Sequence, residues 1–193
     1  MSSVPDVVIE LGAPTVIVLA SGRGERFIAS GGPTHKLQAL LEGQTVLAHT
    51  LAAVRASGLP WHLEDAGHAG MGDSISAAVR ATSGAQGWLI LPGDLPLVEA
   101  QTLRAVAAAL AHHPAVVPVF QGQRGHPVGF ARRCGPALAQ LSGDKGAGSV
   151  LRAQSAIEIM VNDEGCVADI DTLTDLQRAS QLLAGRRSAV GPR

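Results

Sequence analysis

The chain has 193 residues and a mass of 19.7 kDa, with 46% apolar and 16% charged residues. It is therefore the size of one domain with ample material for a core, and that balance excludes disorder, coiled coil and collagen. Fifteen basic and sixteen acidic residues leave a formal net charge of −1, which announces no basic face for a nucleic-acid backbone. Cys134 and Cys166 stand far apart, in no metal-like spacing, which points away from a disulfide scaffold or zinc site and towards a reducing compartment. The longest purely apolar run, Ala105 to Ala111, is far short of the roughly 20 residues of a membrane span. No Lys or Arg precedes Arg23, whereas Asp6 and Glu10 do, the wrong sign for a signal peptide. A cytoplasmic protein without membrane or nucleic-acid partners is expected. Tyrosine is absent and only Lys36 and Lys145 are lysines. An Arg- and Ala-favouring genome explains that bias alone, but a lysine kept against it is worth following.

Apolar runs alternate with helical patterns along the chain. Thr15 to Ala20 reads as a buried parallel strand running into Ser21-Gly22-Arg23-Gly24. Thr45 to Ser57 has a helical period at Val46, Leu47, Leu51 and Val54, stopped by Gly58-Leu59-Pro60. Trp61 to Leu63 is a short strand, and Asp73 or Ser74 can cap a helix through Ala81. Trp88 to Leu91 is a buried strand broken by Pro92-Gly93, and Glu99 to His112 a helix ended by Pro114. Ala115 to Phe120 and Val128 to Phe130 read as strands, Cys134 to Leu141 and Ala147 to Gln154 as helices. Ile157 to Val161 and Val167 to Ile170 are further strands, before a helix from Leu173 to Leu183 with Thr172 as its cap. The pattern divides the chain into an extension at 1–14, one domain at 15–184 and a flexible tail at 185–193. The alternation argues for a mainly parallel α/β sheet with helices on both faces, whose ligands sit at the carboxyl ends of the strands.

The loops to read for function therefore follow Ala20, Leu91 and Ile170. In the first, small residues admit a ligand close to the backbone, and Arg23, Arg26 and Lys36 add charge suited to a polyphosphate. A tight turn with solvated arginines explains it equally well. The dinucleotide fingerprint fails, because Phe27 stands where the third glycine belongs. In the second loop Asp94, between Gly93 and Pro96, presents one hard carboxylate as Mg²⁺ sites do, or is a plain turn aspartate. In the third, strand alternation would put Asp169 and Asp171 on one side, as metal or substrate ligands or as helix caps. Gly70 to Ser74 has the form of a recognition loop entering a helix N-terminus, or of an ordinary helix start. His126, held extended by Pro127, is either a substrate contact or part of a turn.

In order, Leu-Ala-Ser-Gly-x-Gly-x-Arg-Phe…Lys-Leu, Gly-Met-Gly-Asp-Ser, Gly-Asp-Leu-Pro, Arg-Gly-His-Pro-Val-Gly-Phe and Asp-Ile-Asp-Thr resemble the MobA-like nucleotidyltransferases, most closely the molybdenum cofactor cytidylyltransferases. The resemblance runs from about Thr15 to Leu183. It implies a Rossmann-like, three-layer, GT-A-like α/β fold with a mainly parallel mixed sheet. It also implies transfer of a nucleoside monophosphate from an NTP, with Mg²⁺, to a phosphorylated acceptor, with release of pyrophosphate. CTP is favoured as donor and molybdopterin or molybdenum cofactor as acceptor, with a molybdoenzyme as recipient and a monomer or homodimer as the working form. Carried over by residue, Leu19, Ala20, Ser21, Gly22, Arg23 and Gly24 would hold the nucleotide, with Gly72, Asp73 and Ser74 near base and ribose. Arg26 and Lys36 would neutralise the triphosphate. Asp94 and Asp169 would bind the metal, and His126, Asp169 and Asp171 would face the acceptor. The chain departs from the family pattern at Ser57 to Ala69, too short for a further strand and helix, so the sheet is expected to lack one such unit. The stretch from Phe27 to Lys36 is longer than usual. A sugar-phosphate nucleotidyltransferase is the alternative within the enzyme class, and a nucleotide or cofactor carrier without chemistry the alternative outside it.

Overall fold

The computed structural model describes residues 12–22 and 24–189, so Arg23, most of the expected extension and the end of the expected tail lie outside the described residues. In chain order the strands are β1 (Thr15–Leu19), β2 (Leu40–Leu41), β3 (Gln44–Thr45), β4 (Trp61–Glu64), β5 (Gly87–Pro92), β6 (Ala115–Phe120), β7 (Gln123–Arg124), β8 (Val128–Ala131) and β9 (Ile157–Met160). The helices are α1 (Glu25–Ala29), α2 (Val46–Ser57), α3 (Met71–Ala81), α4 (Ala100–Ala109), α5 (Gly135–Leu138), α6 (Gly148–Ala153) and α7 (Leu173–Ala189). β2 and β3 form a separate ribbon, and the other seven strands form one sheet. β1 lies between β4 and β5, parallel to both. β8 is antiparallel to β5 and to β6, so β6 runs the same way as β1, and β9 follows β6 in parallel. Only β7 and β8 oppose the common direction, end to end along one edge of β6. The expected mainly parallel mixed sheet is the one observed. Between α2 and α3 the chain supplies β4 alone.

Strand alternation sorts the core into two faces. Ile17, Trp88, Ile90 and Phe130 pack with Ile75 and Val79 of α3, Leu138 of α5 and Val150 of α6. Val16, Val18, Leu89 and Leu91 pack on the other face with Val54 of α2 and Leu103 and Val106 of α4. Each fully buried aliphatic side chain contributes about 1.5–3 kcal/mol, and the two faces together fix the three layers. A third cluster joins Phe27, Leu37, Leu41, Val46, Leu97, Ile170 and Ala179. It docks α1, the single turn at Lys36–Gln38, the β2–β3 ribbon and α7 onto the sheet's carboxyl edge, which is what carries Lys36 and residues 169–171 to the site.

Several local expectations need correcting. No strand forms at Val167 to Ile170; Glu164–Val167 is a 3-10 turn instead. The cause is Asp163, a buried carboxylate that accepts from the N–H of Glu99 and Gly165 and from the Thr102 hydroxyl, winding the chain there. α3 starts one turn early, with Gly70 as its cap rather than Asp73 or Ser74. α4 ends at Ala109, short of His112, and the Cys134 to Leu141 segment holds only a 3-10 turn and the short α5. α7 continues past Leu183 through Ala189, where Arg186 donates to the Leu97 carbonyl at 2.9 Å and ties the last turns down. Among the described residues no helix is long and apolar enough to cross a membrane.

Candidate active site

A cleft of about 760 Å³ opens where β1 and β5 end, lined by Leu19, Ser21 and Gly22 from the first loop and by Pro92 and Asp94 from the second. Lys36 is its most constrained cation. His35 Nδ1 accepts from the Leu37 N–H at 3.3 Å and caps the Lys36–Gln38 turn. The ring proton therefore sits on Nε2, which donates to the Gly22 carbonyl at 2.6 Å. Leu37 is buried in the third cluster, so its neighbour Lys36 turns into the cleft. There Nζ lies 2.6 Å from Asp94 Oδ2 and 2.8 Å from Asp171 Oδ1. The other oxygen of Asp171 meets the Arg26 guanidinium at 2.5 Å. Burial of the ammonium works against its charge, yet Asp94 and Asp171 outweigh it and hold Lys36 above the ordinary lysine value.

Asp94 is fixed through its backbone. Gly93 donates its N–H to the Leu19 carbonyl at 2.8 Å and accepts from the Thr50 hydroxyl at 2.9 Å, while the Asp94 carbonyl accepts from Ile170 N–H at 3.0 Å. The last bond, with Ile170 buried behind it, turns Asp169 and Asp171 to the cleft. The two aspartates thus share a side as expected, though by an anchored loop and not by strand alternation. Asp94 Oδ1 is buried without a hydrogen-bond partner. Burial, then the charge of Asp94, pushes the Asp169 carboxyl above the ordinary value. Among the described residues five carboxylates line the cleft (Glu25, Asp94, Asp144, Asp169 and Asp171) against three cationic side chains (Arg26, Lys36 and Arg124). An orphaned carboxylate oxygen beside a second carboxylate in an anionic cleft fits a divalent cation. No group of three or more His, Cys, Asp or Glu among the described residues could hold a metal. A cation held by Asp94 and Asp169 would complete its shell from water and ligand oxygens, as Mg²⁺ usually does.

His126 lies across the cleft on the segment between β7 and β8, where its N–H donates to the Cys166 carbonyl at 2.8 Å. Gly125 must be glycine there, since a Cβ would come within 2.5 Å of that same carbonyl. Burial pushes the His126 ring below the ordinary imidazole value, against the Ile90 backbone bond and the charges of Asp94 and Asp169. Its Nδ1 is buried without a partner, an open acceptor on a neutral ring.

On the opposite side the expected nucleotide residues divide. Ser21 and Ser74 share a hydroxyl hydrogen bond of 2.6 Å and both line the cleft. Gly22 has open space where a Cβ would stand, and Gly24 adopts a left-handed φ of 66° that favours glycine. The Leu19 carbonyl is taken by Gly93, and the Ala20 N–H is spent on the Glu64 carbonyl at 2.8 Å. Gly72 and Asp73, expected beside base and ribose, face the 142–146 loop instead: Gly72 N–H donates to the Gly143 carbonyl, and Asp73 accepts from Gly143 N–H. Arg23 lies outside the described residues. Three cleft features escaped the sequence reading. Asp144 lines the cleft, although its Gly-Asp-Lys-Gly segment reads as a plain turn. His68 also lines it, with Nε2 3.0 Å from the buried Glu64 carboxylate, an i,i+4 pairing after a strand end that could have been noticed. His35 stands next to the lysine it positions.

A model of the MobA-like NTP transferase domain matches residues 52–158, more than half of the chain. Purine catabolism protein PucB of Bacillus subtilis is 34% identical over 108 residues, covering 53% of this chain and 52% of PucB, so the match spans about half the length of that relative. The 2-C-methyl-D-erythritol 4-phosphate cytidylyltransferase of Cereibacter sphaeroides is 32% identical over 157 residues, 64% of this chain and 68% of that protein. The crystal structure of Rv0371c from Mycobacterium tuberculosis H37Rv superimposes with a TM-score of 0.73 at 25% identity, covering 88% of this chain and 98% of that one. Rv0371c has also been solved in complex with manganese.

Proposed function

The chain belongs to the MobA-like NTP transferase domain family, and on that premise we propose that it moves CMP from CTP to the terminal phosphate of molybdopterin or molybdenum cofactor, releasing pyrophosphate. The observation that carries the reading is the Asp94–Lys36–Asp171–Arg26 chain at the carboxyl ends of β1 and β5. It sets a metal-ready carboxylate directly beside Lys36 and, through Asp171, in line with Arg26, two cations that can neutralise a polyphosphate. An acceptor phosphate is already anionic, so no strong general base is needed. This fits a cleft in which His126 is held neutral and Asp94 and Asp171 already pair with Lys36. Lys36 and Arg26 take up charge developing on the leaving pyrophosphate. A divalent cation, when bound by Asp94 and Asp169, would supply charge neutralisation at the phosphates. Ser21, Ser74 and the open approach at Gly22 would receive the nucleotide. His126 Nδ1 would accept a hydrogen bond from an N–H or O–H of the acceptor, beside Asp169.

CTP is favoured by the likeness of the Ala20-Ser21 pair and the Gly-His-Pro-Val segment to the cytidylyl branch, and by the cytidylyltransferase among the relatives. That relative also favours a second reading, in which the acceptor is a small polyol or sugar phosphate. The test is pyrophosphate release with Mg²⁺ and each of CTP, GTP, ATP and UTP, with and without molybdopterin cofactor. Release with CTP only when the cofactor is present is the expected result. Release with a sugar phosphate in its place selects the second reading, and binding without release by any acceptor makes the chain a carrier.

A further inference from the structure

We propose that Asp171 is a stand-in for substrate phosphate: its carboxylate occupies the seat between Lys36 and Arg26 that a pyrophosphoryl group takes, and so keeps that group's affinity low and its release fast. The inference rests on the reading of Lys36 and Arg26 as the triphosphate's partners. Each Asp171 oxygen is committed to one of those cations, Oδ1 to Lys36 at 2.8 Å and Oδ2 to Arg26 at 2.5 Å. Two adjacent anionic oxygens spanning an ammonium and a guanidinium are what a phosphate presents as well.

The surroundings allow the carboxylate to let go without unfolding anything. The main chain at this point is held independently of the side chain: Ile170 N–H donates to the Asp94 carbonyl, and the N–H groups of Asp171 and Thr172 donate to Asp175 Oδ2 at 3.1 and 2.7 Å. Arg26 is mostly exposed, with 79% of its side-chain surface accessible, so its pairing with Asp171 is screened and easily exchanged. Lys36 stays anchored by Asp94 when Asp171 leaves. Charge balance gives the direction. Among the described residues five carboxylates line the cleft against three cationic side chains, so an entering polyphosphate meets an excess of negative charge. Removing the charge of Asp171 frees Arg26, leaves Lys36 with Asp94 alone and reduces that excess by one. After transfer, its return to Lys36 and Arg26 competes with the product and helps expel it.

The test is isothermal titration with magnesium pyrophosphate, which reports this seat without base or acceptor. Asp171→Asn should bind about fivefold more tightly than the unmodified chain, as expected for loss of one like charge at close range. Asp171→Ser should shift the same way, Asp171→Glu should restore the unmodified affinity, and Lys36→Ala should weaken binding. If Lys36→Ala weakens binding while Asp171→Asn and Asp171→Ser bind no more tightly than the unmodified chain, the stand-in role is overturned. If Lys36→Ala leaves binding unchanged, or the unmodified chain binds no pyrophosphate, the reading of Lys36 as a phosphate partner fails first, and the proposal with it.

Discussion

The two walls of the cleft are built on different principles. The wall formed by the loops after β1 and β5 and by residues 169–171 works through charged side chains that reach the cleft: Lys36, Arg26, Asp94, Asp169 and Asp171. The wall formed by the segment entering α3, the start of α3 and the 142–146 loop works through backbone against backbone. A Cβ on Gly70 would stand 2.2 Å from the Gly143 carbonyl carbon, and one on Gly72 would stand 2.8 Å from the carbonyl oxygens of Ser142 and Lys145. The first wall therefore loses chemistry when a side chain is cut back, whereas the second loses shape when one is added.

Lys36→Ala should show the largest effect of changes to the charged wall outside its carboxylates. A fall in kcat/KM on the order of a hundredfold is expected from removing one preorganised cation. Triphosphate affinity should drop more than monophosphate affinity, and equal losses would make the lysine merely structural. Next come two glycines that separate the walls. Gly70→Ala must push the 142–146 backbone away, costing about 1–3 kcal/mol of stability, read as a lowered Tm. Gly22→Ala meets nothing within 4 Å and should leave Tm unchanged while raising KM for nucleotide, because its Cβ fills the space left for a ligand. If Gly22→Ala unfolds the chain, or Gly70→Ala does not alter its stability, the contrast between the walls is wrong.

A smaller effect is expected from His126. Between its lowered folded value and the ordinary 6.5, the unfolded chain binds more protons at this ring than the folded one. Stability should therefore rise with pH across that window and be lost as the pH falls through 6.5. His126→Gln should flatten this slope in denaturant titrations at pH 5.5 and 7.5, and an unaltered slope would show that the ring is not buried neutral. The smallest expected signal is the reactivity of the thiols. Burial, then the charge of Asp163, pushes Cys166 up to about 12, and burial also raises Cys134. Both should react with a thiol reagent only on unfolding, and rapid labelling of the folded chain would contradict their placement.

This contrast also explains what could be read in advance. The charged wall was legible at Asp94 and at the entry to the first loop, because these directly follow the apolar strands β5 and β1 and the sheet's carboxyl edge could be located from those β-rich runs. The partnership of Lys36 with Asp171 was not, since it spans 135 residues and depends on the third hydrophobic cluster folding α7 back over the edge. What Gly72 and Asp73 of the second wall meet was hidden for a similar reason. Glycines at a helix start look the same whether they face a ligand or another backbone, and only the 142–146 loop, some 70 residues on, decides. The strand expected at Val167 to Ile170 failed because a buried Asp163 wound the chain more effectively than β-propensity could extend it.

The measurement that tests the central claim most directly is pyrophosphate release during a Mg²⁺ titration, with the unmodified chain beside Asp94→Ala. CTP and the phosphorylated acceptor are present throughout. The unmodified chain should be silent without the cation and saturate as it is added. Asp94→Ala should remain folded, because the substitution removes little packing, and stay silent at every concentration. Full Mg²⁺-dependent release by Asp94→Ala would contradict the placement of the reaction at this carboxylate.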